Sequence, residues 1–125
     1  PHLTRGSSII NSGSITGIEG SKELLDYSST KGAIHAFTKS LAQSLVSRGI
    51  RVNCVSPGGI ETPMVEAAAA GLPKDTDWSL IARSQSVIPG FMPPIDVAES
   101  ILFLASDAAA SITGTNLVVD RGVVW

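Results

Sequence analysis

A single cysteine, Cys54, stands among 125 residues. That excludes an intrachain disulfide framework and a zinc site built on paired thiolates. No cluster of His, Asp and Glu has metal-ligand spacing, so no metal is expected. A large excess of one charge sign is missing too. Nine Lys plus Arg face eleven Asp plus Glu, for a net charge of −2. A chain so near neutral, without a basic block, is not built to bind nucleic acid or an acidic membrane surface. No apolar run approaches the roughly 20 residues of a membrane span. The first residues, Pro1-His2-Leu3-Thr4-Arg5, lack the apolar stretch of a signal peptide, and the expected location is cytoplasmic. They also lack an initiator Met, which suggests a start within a longer chain. There is no internal repeat and no low-complexity segment beyond the helix-prone Ala67–Ala70. What is present suits one domain with a core: 43% hydrophobic and 16% charged residues.

Along the chain, Ser7-Ser8-Ile9-Ile10-Asn11 is a short apolar run that reads as a buried strand. Residues 12–24, with three glycines and many polar side chains, read as a loop. A long helix follows, with Asp26 as its expected N-cap. Ile34, Phe37, Leu41 and Leu45 are spaced three, four and four apart as its buried face. Arg48-Gly49 closes it. Ile50-Arg51-Val52-Asn53-Cys54-Val55 predicts a second strand, broken by Ser56-Pro57-Gly58-Gly59. Five of the seven prolines fall within 60–94, where short helices near 63–70 and 77–86 are expected inside a mobile loop. A helix opens at Ile95-Asp96 and runs to about Ser106. Asn116-Leu117-Val118-Val119 is a third strand. Helices alternating with buried-type strands indicate an α/β domain with a parallel sheet.

Tyr27 and Lys31 lie one turn apart on one face of the long helix. The same face carries Ile34, Leu41 and Leu45, so both polar heads are expected to point inward. One reading is a Tyr and a Lys snorkelling at a helix end. The other is general acid–base chemistry. A free phenol has a pKa of about 10, and a cation one turn away stabilises the phenolate. Such a tyrosine gives a proton to a carbonyl under reduction or takes one from an alcohol. Ser14 falls just past the first strand, where loops line the ligand crevice of parallel sheets. It reads either as a turn serine or as a second donor to the same oxygen. Pro57-Gly58 follows the second strand at the equivalent edge, where a backbone without bulk approaches a flat ligand closely. Ile60 and Thr62 share that loop.

These residues carry a resemblance to the C-terminal half of a short-chain dehydrogenase/reductase. The matching pieces begin with Ile9-Ile10-Asn11-x-x-Ser14, Gly17 and Tyr27-Ser28-Ser29-Thr30-Lys31-Gly32-Ala33. Thr38-Lys39-Ser40-Leu41-Ala42, Ile50-Arg51-Val52-Asn53 and Pro57-Gly58-x-Ile60-x-Thr62-Pro63-Met64 come next. Phe103-Leu104-Ala105-Ser106-Asp107, Ile112-Thr113-Gly114 and Val119-Asp120 complete them. Ser14 precedes Tyr27 by 13 residues, which also fits the family.

The resemblance implies the C-terminal half of a Rossmann-like, doubly wound parallel sheet: three strands with flanking helices, in a partial domain over 1–125. It implies an NAD(P)-dependent oxidoreductase that interconverts a carbonyl and an alcohol on a small molecule. Tyr27 would be the acid/base, Lys31 would assist it and bind the nicotinamide ribose, and Ser14 would orient the substrate. Pro57, Gly58, Ile60 and Thr62 would border the nicotinamide, and 63–94 would form the substrate-binding loop. The long helix would pack against a mate in a homodimer or homotetramer. The family's N-terminal half, with its glycine-rich turn and the residue choosing NAD or NADP, is not in these residues. Two departures stand out. Ser12-Gly13-Ser14 replaces the usual apolar-Ser-Ser run, and Arg121 stands where the family usually has glycine.

Several features are set aside. Ser12-Gly13-Ser14-Ile15-Thr16-Gly17-Ile18-Glu19-Gly20 resembles a dinucleotide fingerprint. It reads as a loop, because the helix is expected only near Asp26 and no acid ends the next strand. Cys54 reads as a buried, inert thiol and His35 as a packing or surface histidine. His2 is near the end. Trp78 and Trp125 read as packing residues, and Asp75 and Asp77 as solvated loop charges. A Ser14–His35–Asp26 hydrolase lacks the G-x-S-x-G elbow. The alternative to an enzyme is a truncated, non-enzymatic relative that partners a full-length one. Three strands with two main helices are expected to leave a strand edge and apolar surface uncovered.

Overall fold

Residues 2–71 and 86–124 are described by the structure, a computed structural model. Trp78, Trp125, Asp75 and Asp77 lie outside these residues, as does the expected helix over 77–86 except for its last residue, so much of the 63–94 segment does too.

Three strands form one parallel sheet in the order β1-β2-β3. They are β1 (Ser8–Ser12), β2 (Arg51–Pro57) and β3 (Asn116–Val119). Ile9 stands opposite Val52, and Val55 opposite Leu117. Parallel neighbours need crossovers. After a single turn, α1 (Thr16–Glu19), the first crossover is α2 (Leu25–Leu45). The second includes α3 (Pro63–Ala70) and α4 (Pro94–Ala105). This is the expected α/β class, as a partial Rossmann fold.

Alternation along the strands sorts every contact. Successive side chains of a strand point to opposite faces. On one face Val55 forms a core with Leu104 and Ala109, joined by Ile10, Val97, Ile112, Leu117 and Val119. On the other, Asn11 Nδ2 donates to Thr38 Oγ1 at 2.9 Å, and His35 Nε2 lies 2.8 Å from Ser56 Oγ. So α4 covers one face and α2 the other. Val52 to Ser56 are all buried, as a strand covered on both faces requires. Among the described residues no strand pairs with the outer edges of β1 and β3.

The structure corrects four local expectations. β1 runs one residue later than expected. The loop after it contains the one-turn α1, which ends at Gly20 with φ 77°. Leu24, not Asp26, is the N-cap of α2. Asp26 sits inside the first turn, its Oδ1 accepting the Tyr27 N–H at 2.8 Å. Phe37 is not on the buried face: it is 57% exposed, whereas Thr38 and Ala42 are buried. Spacing alone could not separate Phe37 from Thr38, its neighbour 100° around the helix.

Two arginines tie down the ends. Arg51 at the start of β2 sends Nη1 to the Leu104 carbonyl at 2.8 Å and Nη2 to that of Ser106 at 3.1 Å. A cation thus satisfies carbonyls left open at the C-terminus of α4. Arg121, past β3, takes φ 59°, the left-handed region that favours glycine. Its Nη1 donates to the Pro89 carbonyl at 2.9 Å, and Nη2 lies 3.7 Å from Asp96 Oδ2. Asp120 holds the same corner by accepting the N–H groups of Gly122 and Val124 at 2.8 and 2.7 Å.

Arg51→Met keeps the aliphatic stem and removes the donors. It is expected to lower the unfolding free energy of the intact protein by about 1–3 kcal/mol. Urea denaturation reads this as a lower midpoint, and an unchanged midpoint contradicts the clamp.

Candidate active site

Three chain segments meet at the carboxyl edge of the sheet. Leaving β1, Gly13 N–H donates to the Val55 carbonyl at 2.8 Å, and Ile15 N–H to that of Pro57 at 3.1 Å. These two bonds extend the β1–β2 ladder and pin Ser14 between them. Leaving β2, Gly58 N–H donates to the Val119 carbonyl at 3.0 Å. Helix α2 starts at this edge, because a crossover helix must run back toward the start of the next parallel strand. Its first turns therefore bring Lys31 to the end of β1, two residues before Ser14, with the Tyr27 ring under its ammonium. In open α/β sheets this edge is where ligands bind.

Lys31 links the two parts of the site. Its Nζ lies over the Tyr27 ring, 5.5 Å from the centroid. The same ammonium donates to the Ser12 carbonyl at 3.1 Å. One cation thus holds the tyrosine and the strand end leading to Ser14, with a favourable cation–π contact as well. Tyr27 itself is 42% exposed, so its ring stands at the rim rather than pointing inward as expected. Lys31 is half-buried. Ser14 is 7% exposed, and its Oγ accepts from Thr16 N at 3.2 Å and from Thr16 Oγ1 at 2.9 Å. Neither bond uses the serine's own proton. An open cleft of about 590 Å³ lies alongside, bordered by Ile15, Thr16, Glu19 and Val123.

The other predicted residues are placed less uniformly. Pro57 contributes its carbonyl to the Ser14 segment. Gly58 has a packing role of its own, because a Cβ there would stand 2.8 Å from Asp120 Cβ. Ile60 bridges to Met92, farther along the chain from the Ser14 segment. Thr62 opens α3: its Oγ1 accepts the Val65 N–H at 3.4 Å and its carbonyl the Glu66 N–H at 3.0 Å.

A buried polar cluster behind Ser14 was not legible in the sequence. Ser56 Oγ, fully buried on β2, donates to Asn116 Oδ1 at 2.6 Å and faces His35 Nε2 at 2.8 Å. Burial holds the His35 imidazole below its usual pKa. Lys39 and Lys31 push it the same way, while the Gly17 backbone opposes them. Burial pushes the Cys54 thiol upward, with hydrogen bonds opposing it, which agrees with an inert cysteine. Among the described residues no group of His, Cys, Asp and Glu forms a metal site, and no helix is long and apolar enough to cross a membrane.

The depressed His35 value fixes a sign. The unfolded chain binds this proton more tightly than the folded one. Its contribution is therefore fully present above the ordinary value of 6.5 and is lost as pH falls from there toward the folded pKa. His35→Gln is expected to flatten the fall in thermal stability of the intact protein below pH 6.5. Melting temperatures across that range check it, and an unchanged slope contradicts it.

Residues 1–124 match the family described as enoyl-(acyl carrier protein) reductase. The chain is 48% identical over 124 residues to the uncharacterized oxidoreductase YhxC of Bacillus subtilis, covering 99% of this chain and 42% of that protein. It is 42% identical over 126 residues to NADPH-dependent aldehyde reductase 1, chloroplastic, of Arabidopsis thaliana, covering 98% and 41%. The solved structure of 4-hydroxyisoleucine dehydrogenase complexed with NADH superposes with a TM-score of 0.78 at 30% identity, over 94% of this chain and 46% of that one. The chain thus spans about two-fifths of the curated relatives it matches.

Proposed function

This chain belongs to the short-chain dehydrogenase/reductase family of oxidoreductases, as its C-terminal portion, and from that premise we propose that it carries the proton-transfer half of an NAD(P)-dependent carbonyl–alcohol interconversion. The observation that carries the reading is the position of Lys31, over the Tyr27 ring and bonded to the strand end before Ser14.

Tyr27 gives its phenolic proton to the carbonyl oxygen of the substrate during reduction and recovers it during oxidation. Its exposure at the rim suits a group that must meet a ligand. Lys31 stabilises the phenolate by its charge. Ser14 donates its unspent proton to the same oxygen and aims it at Tyr27, supported from below by the β2 ladder. A bound nicotinamide supplies or accepts the hydride. The donor set fits its ribose: an ammonium has three N–H groups, and the Ser12 carbonyl occupies one, leaving two for hydroxyls. Pro57, Gly58, Ile60 and Thr62 would border the nicotinamide, at the end of β2 and on the loop leaving it. The 63–94 segment binds the substrate.

NADPH stands in the name of the Arabidopsis relative and NADH in that of the solved structure, so both belong in the assay. Small carbonyl compounds or alcohols are the proposed substrates. The proposed assembly is a homodimer or homotetramer.

Tyr27→Phe removes one hydroxyl. In the intact protein it is expected to lower kcat for carbonyl-dependent oxidation of NADPH or NADH by about 10²–10⁴-fold. Retention of the native kcat sinks the reading.

A further inference from the structure

We propose that His35 is a positioning residue for Ser14, acting through the Gly13–Gly17 segment, with Ser56 and Asn116 as its support. The proposal rests on the reading of Ser14 as the residue that orients the substrate.

His35 follows Lys31 by one helical turn on α2, and its ring enters the space beneath that segment. A Cβ added to Gly13 would stand 2.6 Å from His35 Nε2 and 2.5 Å from Ser56 Oγ. A Cβ added to Gly17 would stand 2.8 Å from His35 Cε1. The imidazole is thus a close neighbour of both glycines, shared at Gly13 with the Ser56 hydroxyl and the Cys54 thiol and at Gly17 with the α2 backbone of Lys31 and Gly32. The two glycines bracket Ser14 and Thr16, whose hydroxyls bond each other. Glycine at two positions would leave this segment conformationally loose. The ring wedged against both restores the restriction that side chains there would have supplied.

The wedge is itself held. Ser56 has one hydroxyl proton and gives it to Asn116 Oδ1. His35 Nε2 shares a 2.8 Å hydrogen bond with that same Ser56 Oγ, and the Gly17 backbone is a second hydrogen-bond partner of the ring. Ser56 and Asn116 lie on β2 and β3, so the imidazole is braced across two strands. Gly13 N–H and Ile15 N–H, bonded to Val55 and Pro57, keep the backbone of Ser14 pressed toward that brace. Lys31 acts from the same helix on the Ser12 carbonyl. One rigid helix thereby sets the tyrosine, the lysine and the floor under the serine.

Two independent readouts test this on the intact protein: amide hydrogen exchange at Gly13 and Ile15, and kcat and KM for NADPH- and NADH-dependent reduction of butanal. His35→Ala is expected to speed exchange at both amides and to lower kcat about tenfold with KM little changed, a loss of the order expected from misplacing an orienting group. His35→Gln, whose amide N–H reaches Ser56, is expected to restore both. Ser56→Ala removes the brace with little change in volume and should reproduce the loss, which keeps the test decisive if His35→Ala fails to fold. Native exchange in Ser56→Ala or His35→Ala overturns the proposal, as does a loss that His35→Gln fails to restore. If the native protein does not turn over butanal, the exchange readout alone decides. Persistent activity in Tyr27→Phe removes the functional reading, yet leaves the exchange test of His35 intact.

Discussion

The arrangement depends on one constraint: β2 has no face in water. Its five central residues are buried, so each side chain must satisfy a helix on one side or the other. Val55 meets Leu104 in the core under α4. Asn53, on the same side, donates from Nδ2 to the Ile112 carbonyl at 2.9 Å. Ser56 turns the opposite way and meets His35 of α2. A buried polar group without a partner costs about 1–3 kcal/mol, so the polar residues of β2 fix how the helices and the segment before β3 sit. Packing area alone leaves more freedom.

The same constraint assembles the candidate active site. A crossover helix that covers β2 must begin at the carboxyl edge of the sheet. Tyr27 and Lys31 occupy its first two turns, so covering the core delivers them to the edge where β1 ends, two residues before Ser14. Lys31 then joins the two through the Tyr27 ring and the Ser12 carbonyl. No loop has to hold the pair, and a rigid element positions side chains more precisely than a loop does.

Close approaches at the carboxyl edge account for several small residues there. Gly13 makes room for Ser56, His35 and Cys54, Gly17 for the α2 backbone at Lys31 and Gly32 and for the His35 ring, and Gly58 for Asp120. Gly58 illustrates two demands on one residue. Its lack of a side chain suits a flat ligand, and the end of β3 requires the same lack independently. Arg121 shows the reverse. It occupies a left-handed position that favours glycine, and it gains contacts to Pro89 and Asp96 that glycine could not make.

Much was legible from local pattern. Apolar runs of strand length, a long helical period, and the order of strands and helices indicated a parallel α/β sheet. Residues of fixed type at fixed spacing marked Ser14, Tyr27 and Lys31, because one helical turn couples Tyr27 to Lys31 whatever surrounds them. Other features depended on partners distant in sequence. Whether Phe37 or Thr38 faces inward was decided by Asn11 on β1, which bonds Thr38. Whether His35 is surface or wedge was decided by Ser56 and Asn116, 21 residues from His35 and 60 from Ser56 respectively. Sequence alone determined the elements and the residue types that carry chemistry, since both follow from short-range periodicity. Only the tertiary structure decided which polar groups share one buried space, because that follows from which faces of α2, β2 and β3 are pressed together.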